Sequence, residues 1–475
     1  MTMIELSHLT FKYDEMDPLI LDDQSLIIDA GTFNLLTGPS GTGKSTLLKL
    51  IAGLYPSFTG IQTSGTVTVN QQAIAEMIPA KRAQLVSMMF QNPSEQFAMQ
   101  TPREELIFTL ENLQVPVTDI PSRVKTALEF AGVTAFADRQ FTTLSGGEQQ
   151  KVSLAVIVAL NAQVILLDEP FANVDPAARR FLLAQLTKLV DQHGKTILIA
   201  DHDLSDYQAR INQLFILDPE KRRVHLADDA EAMARFADFD QHQHQQQPLL
   251  LPDSATLEPV FKLHNFSVGH QSPLIIQESL DLFANQLTVI TGANGTGKST
   301  LFNALVRLQN YHGSLTWQDQ QVSKQRRARY AKQVALVFQQ ATSQFLNITV
   351  AEELAMSHRQ QVSSAWTTTR TTTALEQLNL AGRGDQVVYS LSEGQKKKLQ
   401  ILSMLIMGTP TLLLDEPLTG LDLISEQTVL KLLQEAVHQD GRTVLMITHQ
   451  LTNVAAFADL HLNLDQQHLT YEASL

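Results

Sequence analysis

The sequence predicts an α/β protein made of two copies of one domain, each with a mainly parallel β-sheet at its core. Two repeated motifs support this prediction. The glycine-rich segment GPSGTGKST, Gly38 to Thr46, recurs as GANGTGKST at Gly292 to Thr300. The apolar run VILLDEP, Val164 to Pro170, recurs as TLLLDEP at Thr411 to Pro417. Because the motifs keep their order and almost their spacing, we interpret the chain as a tandem duplication.

The amino-acid composition argues against several classes of function. The chain has 475 residues, a formal net charge of −14 and no cysteine. Without cysteine it has no disulfides, no Cys-ligated zinc and no iron–sulfur cluster, which fits a cytosolic chain. The acidic balance argues against nucleic-acid binding. The N-terminus lacks a signal-peptide pattern, and apolar runs such as Leu154 to Leu160 are far shorter than the ~20 residues of a membrane helix. Any membrane role is therefore expected to come from a partner.

The two copies are separated by a segment of different composition. DQHQHQQQPLLLPDSATLEP has a Gln/His run, three prolines and no periodicity, which is typical of a linker. We predict a first domain at residues 1–240, a linker at 241–257 and a second domain at 258–475.

Each glycine-rich segment follows an apolar stretch and precedes a helical pattern, as in a phosphate-binding loop. Its glycines let backbone N–H groups face an anion at the positive end of the following helix. The lysine is expected to reach the β- and γ-phosphates, and Ser45 and Ser299 to bind Mg²⁺. The predicted residues of the first copy are Gly38, Pro39, Ser40, Gly41, Thr42, Gly43, Lys44, Ser45 and Thr46. Those of the second are Gly292, Ala293, Asn294, Gly295, Thr296, Gly297, Lys298, Ser299 and Thr300.

The Asp-Glu-Pro motif ends a predicted buried strand, where ligands bind in an open parallel sheet. Asp168 and Asp415 are expected to hold Mg²⁺ through water. Glu169 and Glu416 are expected to act as general bases on the attacking water, a role typically worth about 10²–10⁴-fold in rate. Taken alone, such a pair could also cap a sheet edge, but the upstream phosphate loop favours the catalytic interpretation.

The segment LSGGE, Leu144 to Glu148, identifies the family that both halves resemble, the ATP-binding cassette (ABC) ATPases. The resemblance covers nearly the whole chain. It implies a P-loop NTPase fold in each half, with an antiparallel β subdomain and a helical signature subdomain, and ATP with Mg²⁺ as ligands. It also implies that each signature completes the site of the other domain. Ser145, Gly146 and Gly147 would then complete the Lys298 site, and Ser392 and Gly394 the Lys44 site.

Other family positions can be matched residue by residue. Gln91 and Gln339 resemble the glutamine that senses Mg²⁺ and water and touches the transporter. His202 and His449, each after an apolar strand, match the histidine that contacts the γ-phosphate. Asp175 and Asp422 match the loop that signals between domains.

The copies differ at two matched positions. Tyr13 resembles the aromatic residue that stacks on adenine, and our alignment of NFSVG with TFKYD places Val268 there. We therefore expect weaker ATP binding at Lys298 than at Lys44, since stacking on an aromatic is worth about 1–3 kcal/mol. Glu393 replaces the first signature glycine in LSEGQ, and its carboxylate is expected to repel nucleotide. Both sites are nevertheless expected to hydrolyse ATP.

The predicted work is that of a transporter motor whose membrane-spanning and substrate-binding subunits are separate chains, so that the chain is peripheral on the cytoplasmic face of the membrane. QNPSEQF followed by TPREEL resembles energy-coupling factor (ECF) importers of vitamins and related micronutrients or metal ions, and a fused pair resembles the type associated with thiamine-precursor uptake. The alternative is a soluble tandem-cassette ATPase acting on the ribosome. Such proteins usually carry a long, charged, helical arm between the domains, which this short, nearly neutral linker does not resemble.

Overall fold

The computed structural model describes residues 1–15, 18–39, 41–90, 96–171, 174, 176–243, 249, 251–253, 256–269, 272–449, 451 and 453–475, without the side chains of 241–243. Of the predicted site residues, Ser40, Gln91 and Asp175 lie outside this description. The chain divides into two compact units, Met1–Asp240 and Gln241–Leu475.

Unit 1 alternates strands and helices after an antiparallel start. Its strands are β1 Thr2–Lys12, β2 Leu21–Asp29, β3 Phe33–Thr37, β4 Ile61–Val69, β5 Gln72–Ala73, β6 Val86–Met89, β7 Val164–Asp168, β8 Thr196–Ala200, β9 Gln213–Asp218 and β10 Arg223–Leu226. Its helices are α1 Lys44–Ile51, α2 Pro79–Leu85, α3 Pro102–Asn112, α4 Ile120–Phe130, α5 Gly146–Leu160, α6 Pro176–His193 and α7 Asp229–Gln243.

Two sheets organise unit 1. One is antiparallel in the order β2-β1-β4-β5, and the other has the order β10-β9-β3-β8-β7-β6, in which only β10 runs antiparallel to its neighbour. The central strands are buried on both faces, as parallel strands usually are. Alternate residues point to opposite cores: Leu35 packs with helical residues such as Leu183, and Leu36 packs with α1 residues such as Leu47.

Unit 2 repeats this plan. Its strands are β11 Pro259–Gly269, β12 Pro273–Phe283, β13 Leu287–Thr291, β14 Tyr311–Trp317, β15 Gln320–Gln321, β16 Val334–Val337, β17 Thr411–Asp415, β18 Thr443–Ile447, β19 Leu460–Asp465 and β20 His468–Glu472. Its helices are α8 Lys298–Leu305, α9 Arg327–Tyr330, α10 Val350–Arg359, α11 Thr368–Gln377, α12 Glu393–Met407 and α13 Leu423–His438. The sheets follow the orders β12-β11-β14-β15 and β16-β17-β18-β13-β19-β20. The predicted fold class is confirmed in both units.

The segment between the repeats begins within a helix. Helix α7 continues to Gln243, three residues beyond the end predicted for the first domain. Further along, the Leu249 N–H donates to the Ala473 carbonyl at 2.9 Å, which ties this point of the chain to the end of unit 2. Within the described part of the chain, no helix combines the length and the apolar character needed to cross a bilayer.

Candidate nucleotide-binding sites

The phosphate loop of unit 1 joins the buried strand β3 to α1. The Lys44 ammonium group lies within the loop, donating to the carbonyls of Gly38 at 2.7 Å and Pro39 at 2.9 Å. The Thr42 hydroxyl also donates to the Pro39 carbonyl, at 2.8 Å. Lys44 is almost fully buried. The loop therefore holds a cation in place beside backbone N–H groups at a helix start, which is a suitable arrangement for a phosphate.

Gly43 shows why this loop needs glycine. It precedes α1 with φ of 113°, a conformation that L side chains rarely adopt. A Cβ at this position would lie 2.6 Å from Cγ2 of Ile20. Its counterpart Gly297 has φ of 110° and would place a Cβ 2.8 Å from Cβ of Leu274. Gly43 and Gly297 thus share one backbone conformation at the start of their helices, and in both places a side chain would clash.

The residues proposed to bind Mg²⁺ meet at the end of β7. The Ser45 hydroxyl donates to Oδ1 of Asp168 at 2.9 Å. A hydroxyl and a carboxylate side by side form the hard-oxygen donor set that Mg²⁺ prefers, so these two residues fit the ion. In unit 2, burial raises the pKa of Asp415 and a hydrogen bond from Ser299 acts against this rise, so the same two residues lie together. Bound Mg²⁺ would neutralise charge on the phosphate oxygens.

A glutamate with a strained backbone directly follows β7 and β17. Glu169 has φ of 44° and Glu416 has φ of 49°, in the left-handed region that non-glycine residues seldom occupy. Their backbone N–H groups donate to the carbonyls of Ala200 at 2.8 Å and Ile447 at 3.0 Å, which hold the bend against the neighbouring strand. Such strain persists where the surrounding structure enforces it, often at functional sites.

Each glutamate faces the predicted histidine of its own unit. Nδ1 of His202 lies 3.5 Å from Oε1 of Glu169. In unit 2, Nε2 of His449 lies 3.5 Å from Oε1 of Glu416, and the His449 backbone N–H donates to Oε2 at 3.3 Å. The structure therefore brings the proposed base and the proposed γ-phosphate contact together in both units.

Burial shapes the charge of these groups. Burial and the charge of Glu169 raise the pKa of Asp168 to about 6. Burial and the charge of Asp415 raise the pKa of Glu416 to about 8. For His202, burial alone would lower the pKa, but the carboxylates of Glu169 and Asp201 outweigh it and raise the pKa to about 9. Shifted pKa values of this kind are typical of functional sites, where charged ligands bind and protons are transferred.

Both signatures begin a helix. Ser145 caps α5 and Ser392 caps α12, each in a reciprocal capping box with the residue three positions later, Glu148 or Gln395. Both serines are exposed, whereas Gly147 and Gly394 are buried. The carboxylate of Glu393 pairs with the Lys396 ammonium group at 2.7 Å. This ion pair offsets the negative charge that was expected to repel nucleotide.

In each unit, two side chains that the sequence analysis did not single out hold described residues near the predicted glutamine. Gln96 accepts from the Phe90 N–H at 3.1 Å and donates to the Met88 carbonyl at 3.1 Å, and buried Glu105 accepts from the N–H groups of Ala98 and Met99 at 2.8 Å each. Gln344 and Glu353 make the matching contacts in unit 2. Their recurrence in QNPSEQF…TPREEL and QQATSQF…TVAEEL was a signal that could have identified them. Gln339 itself lies just after β16 and is exposed.

The adenine-loop alignment was wrong. His8 and Asn265, both with positive φ, mark the same bulge, because each packs its carbonyl against the matching glycine, Gly65 or Gly313. Counting from this bulge, Val268 matches the buried Phe11 and not Tyr13. Val268 is 2% exposed and pairs with Ile275 and Tyr311 in the sheet.

The true counterpart of Tyr13 therefore falls at position 270, outside the described residues. Tyr13 is 39% exposed and its hydroxyl lies 2.7 Å from the Thr46 hydroxyl of α1. It is thus anchored beside the phosphate loop with part of its ring accessible. Val268 therefore gives no reason to expect weaker ATP binding at the Lys298 site than at the Lys44 site.

Asp422 shows how one proposed signalling residue is held. Its side chain caps α13, accepting from the Ser425 N–H at 2.9 Å.

Two phosphate loops, each beside a buried Asp-Glu pair and a histidine, define a P-loop nucleotide-hydrolysing protein with two copies of its site. The family model described as ABC transporter matches residues 21–172 and 275–419, more than half of the chain. The chain belongs to the ABC transporter family. Members of this family are ATPases that bind ATP with Mg²⁺, as the sequence analysis expected.

Relatives resemble the chain along its whole length. It is 30% identical to the "Putative HMP/thiamine import ATP-binding protein YkoD" of Bacillus subtilis, over 99% of this chain and 91% of that protein. It is 28% identical to a "Putative ABC transporter ATP-binding protein" of Streptococcus pneumoniae, over 96% of this chain and 88% of that protein. Each of these matches therefore includes both halves of this chain.

Among solved structures, the archaeal ribosome recycling factor crystallised with a ribosomal stalk protein superimposes with a TM-score of 0.64. The match covers 98% of this chain and 90% of that chain at 17% sequence identity. At this identity the likeness shows the fold alone.

Proposed function

We propose that the chain is the ATP-hydrolysing energy-coupling subunit of a membrane importer of the ECF type, acting on a vitamin or related micronutrient. In this proposal separate membrane subunits span the bilayer and bind the substrate, and the chain is peripheral on the cytoplasmic face. The two signatures are proposed to complete the two ATP sites reciprocally.

The observation that carries the proposal is the full-length relationship to the Bacillus subtilis protein named for HMP/thiamine import. Because both halves and the segment between them align, the resemblance concerns the fused pair and not just a generic ATPase domain. The contacts of Gln96 and Glu105 add support, since they give two residues of the ECF-like motif defined partners, Phe90 and Ala98, on either side of the predicted glutamine segment.

The side chains of each site are suited to hydrolysis. Lys44 and Lys298 would bind the β- and γ-phosphates, and Ser45 with Asp168, or Ser299 with Asp415, would hold Mg²⁺. Glu169 and Glu416 would accept a proton from the attacking water. His202 and His449 would contact the γ-phosphate once it displaces the carboxylate they now face.

The test is isolation of the tagged chain from its native cells after mild detergent extraction, followed by mass spectrometry. Stoichiometric integral-membrane subunits are expected, with a small substrate-binding subunit among them. Ribosomal proteins without membrane subunits would overturn the transporter proposal. An untagged strain extracted in parallel controls for abundant contaminants.

A further inference from the structure

Asp201 directly precedes His202, the proposed γ-phosphate contact. It belongs to a buried cluster with Arg179, Asp203 and Tyr207, which we call the clamp. The Tyr207 hydroxyl donates to Oδ2 of Asp201 at 2.8 Å, and the Asp203 N–H donates to Oδ1 of Asp201 at 3.0 Å. Arg179 lies 3.8 Å from Oδ2. Asp201 is 3% exposed and Tyr207 is fully buried. Burial raises the pKa of Asp201, and the nearby Arg179 guanidinium and His202 act against that rise by favouring the ionised carboxylate.

Arg179 itself is fixed on several sides. Its guanidinium pairs with Oδ2 of Asp203 at 2.9 Å and donates to the carbonyls of Asp203 and Ser205 at 3.0 and 2.9 Å. It also lies over the rings of Phe171 at 5.0 Å and Tyr207 at 5.2 Å. The clamp is therefore rigid, because each of its members is bound by at least one other.

His202 links the clamp to Glu169, the proposed general base. Nδ1 of His202 lies 3.9 Å from Oδ1 of Asp201 and 3.5 Å from Oε1 of Glu169. Both carboxylates therefore lie on the Nδ1 side of the imidazole, one held by the clamp and the other belonging to the proposed general base. A cationic imidazole suits both neighbours, and it would also suit an anionic γ-phosphate.

The sequence of unit 2 does not repeat the three side chains Asp201, Arg179 and Tyr207. The position of Asp201 is taken by Thr448, that of Arg179 by Glu426 and that of Tyr207 by Val454, as the aligned sequences show. A neutral Thr448 cannot supply the second negative charge. Both units place a glutamate beside the histidine, at Nδ1 of His202 and at Nε2 of His449, but only unit 1 has an aspartate directly before the histidine.

We propose that Asp201 is a positioning residue for ATP hydrolysis in the site of Lys44, holding His202 as a cation directed at the reaction site. This proposal rests on the catalytic roles proposed above for Glu169 and His202, but not on the membrane partners. In this proposal, Asp201 makes the first site chemically distinct from the second although it does not contact nucleotide.

The test is steady-state ATP turnover of the full chain carrying Asp201→Asn, in the wild-type background and in Glu416→Gln. We expect kcat of the first site to fall about tenfold, with KM changed by less than about twofold, because binding groups are untouched while the histidine loses one of its two carboxylate neighbours. Tyr207→Phe should give a smaller fall in kcat. It should add nothing in the Asp201→Asn background, since Tyr207 acts through Asp201.

Asp203→Asn is the matched control, because it alters the same buried cluster and keeps the backbone N–H that binds Asp201. Equal losses of kcat in Asp201→Asn and Asp203→Asn would overturn the proposal, as would an unchanged kcat in folded Asp201→Asn. If Asp201→Asn does not fold, as judged by circular dichroism, an unchanged kcat in Tyr207→Phe overturns it. Glu169→Gln distinguishes failure of the proposed function from failure of the Asp201 proposal. Full ATP turnover in Glu169→Gln would contradict the catalytic site itself. Lost turnover in Glu169→Gln together with normal turnover in Asp201→Asn would contradict only the role of Asp201.

Discussion

Glu169 and Glu416 have strained backbones and face a histidine, and both features bear on their role as bases. Glu169→Gln and Glu416→Gln keep side-chain volume but remove the proton acceptor. We expect each to lower turnover at its own site by about 10²–10⁴-fold, and the double variant to be inactive. Phosphate release by purified protein measures this. A single variant with wild-type turnover would show that its glutamate is not the base or that its site is dispensable.

The raised pKa of Glu416 predicts a pH dependence. Burial and Asp415 raise the pKa to about 8, so below this pH the nucleotide-free carboxyl is mostly protonated and cannot act as a base. In the Glu169→Gln variant, where only Glu416 remains, kcat/KM should rise with pH and level off above about 8, since this parameter reports the free enzyme. The reciprocal Glu416→Gln variant is the control. A kcat/KM that is flat between pH 6 and 9 would contradict the assignment.

At the scale of strands, the bulge in β11 decides which residue faces the core. Val268 is buried where Phe11 is buried, so Val268→Tyr forces a ring into a packed interior and should reduce the free energy of unfolding by about 1–3 kcal/mol. Urea denaturation measures this. Ile276→Tyr on the adjacent β12 is the control, because Ile276 is 43% exposed. Tighter nucleotide binding by Val268→Tyr would restore the earlier alignment.

The elements differ in how well the sequence predicted them. The loop–helix units at Lys44 and Lys298 and the strands ending at Asp168 and Asp415 were predictable, because local motifs and hydrophobic pattern coincide there. The bulges at His8 and Asn265 were not, because a one-residue bulge changes the register without a composition signal. The Arg179–Asp201–Tyr207 clamp was also missed, since it joins a helix to a loop through contacts that sequence spacing does not reveal.

At the scale of the molecule, each unit has its own hydrophobic cores. Two core clusters contain only residues of Met1–Asp240, and two contain only residues of Gln241–Leu475. Units of this size bury enough apolar surface to fold alone. We therefore expect residues 1–243 and 244–475, made as separate chains, each to unfold cooperatively in thermal melts followed by circular dichroism. Aggregation or a non-cooperative melt of either fragment would contradict independent folding.

The same fragments test the proposal that the signatures act reciprocally. In the full chain the covalent link keeps the units at a high effective concentration, so turnover per molecule should not change on dilution. In an equimolar mixture of the fragments, turnover per molecule should fall on dilution, because association becomes bimolecular. Glu169→Gln in the first fragment controls for contamination by other ATPases. If each fragment alone keeps the turnover of the full chain at every concentration, each unit is a complete ATPase and its signature is not needed by the other.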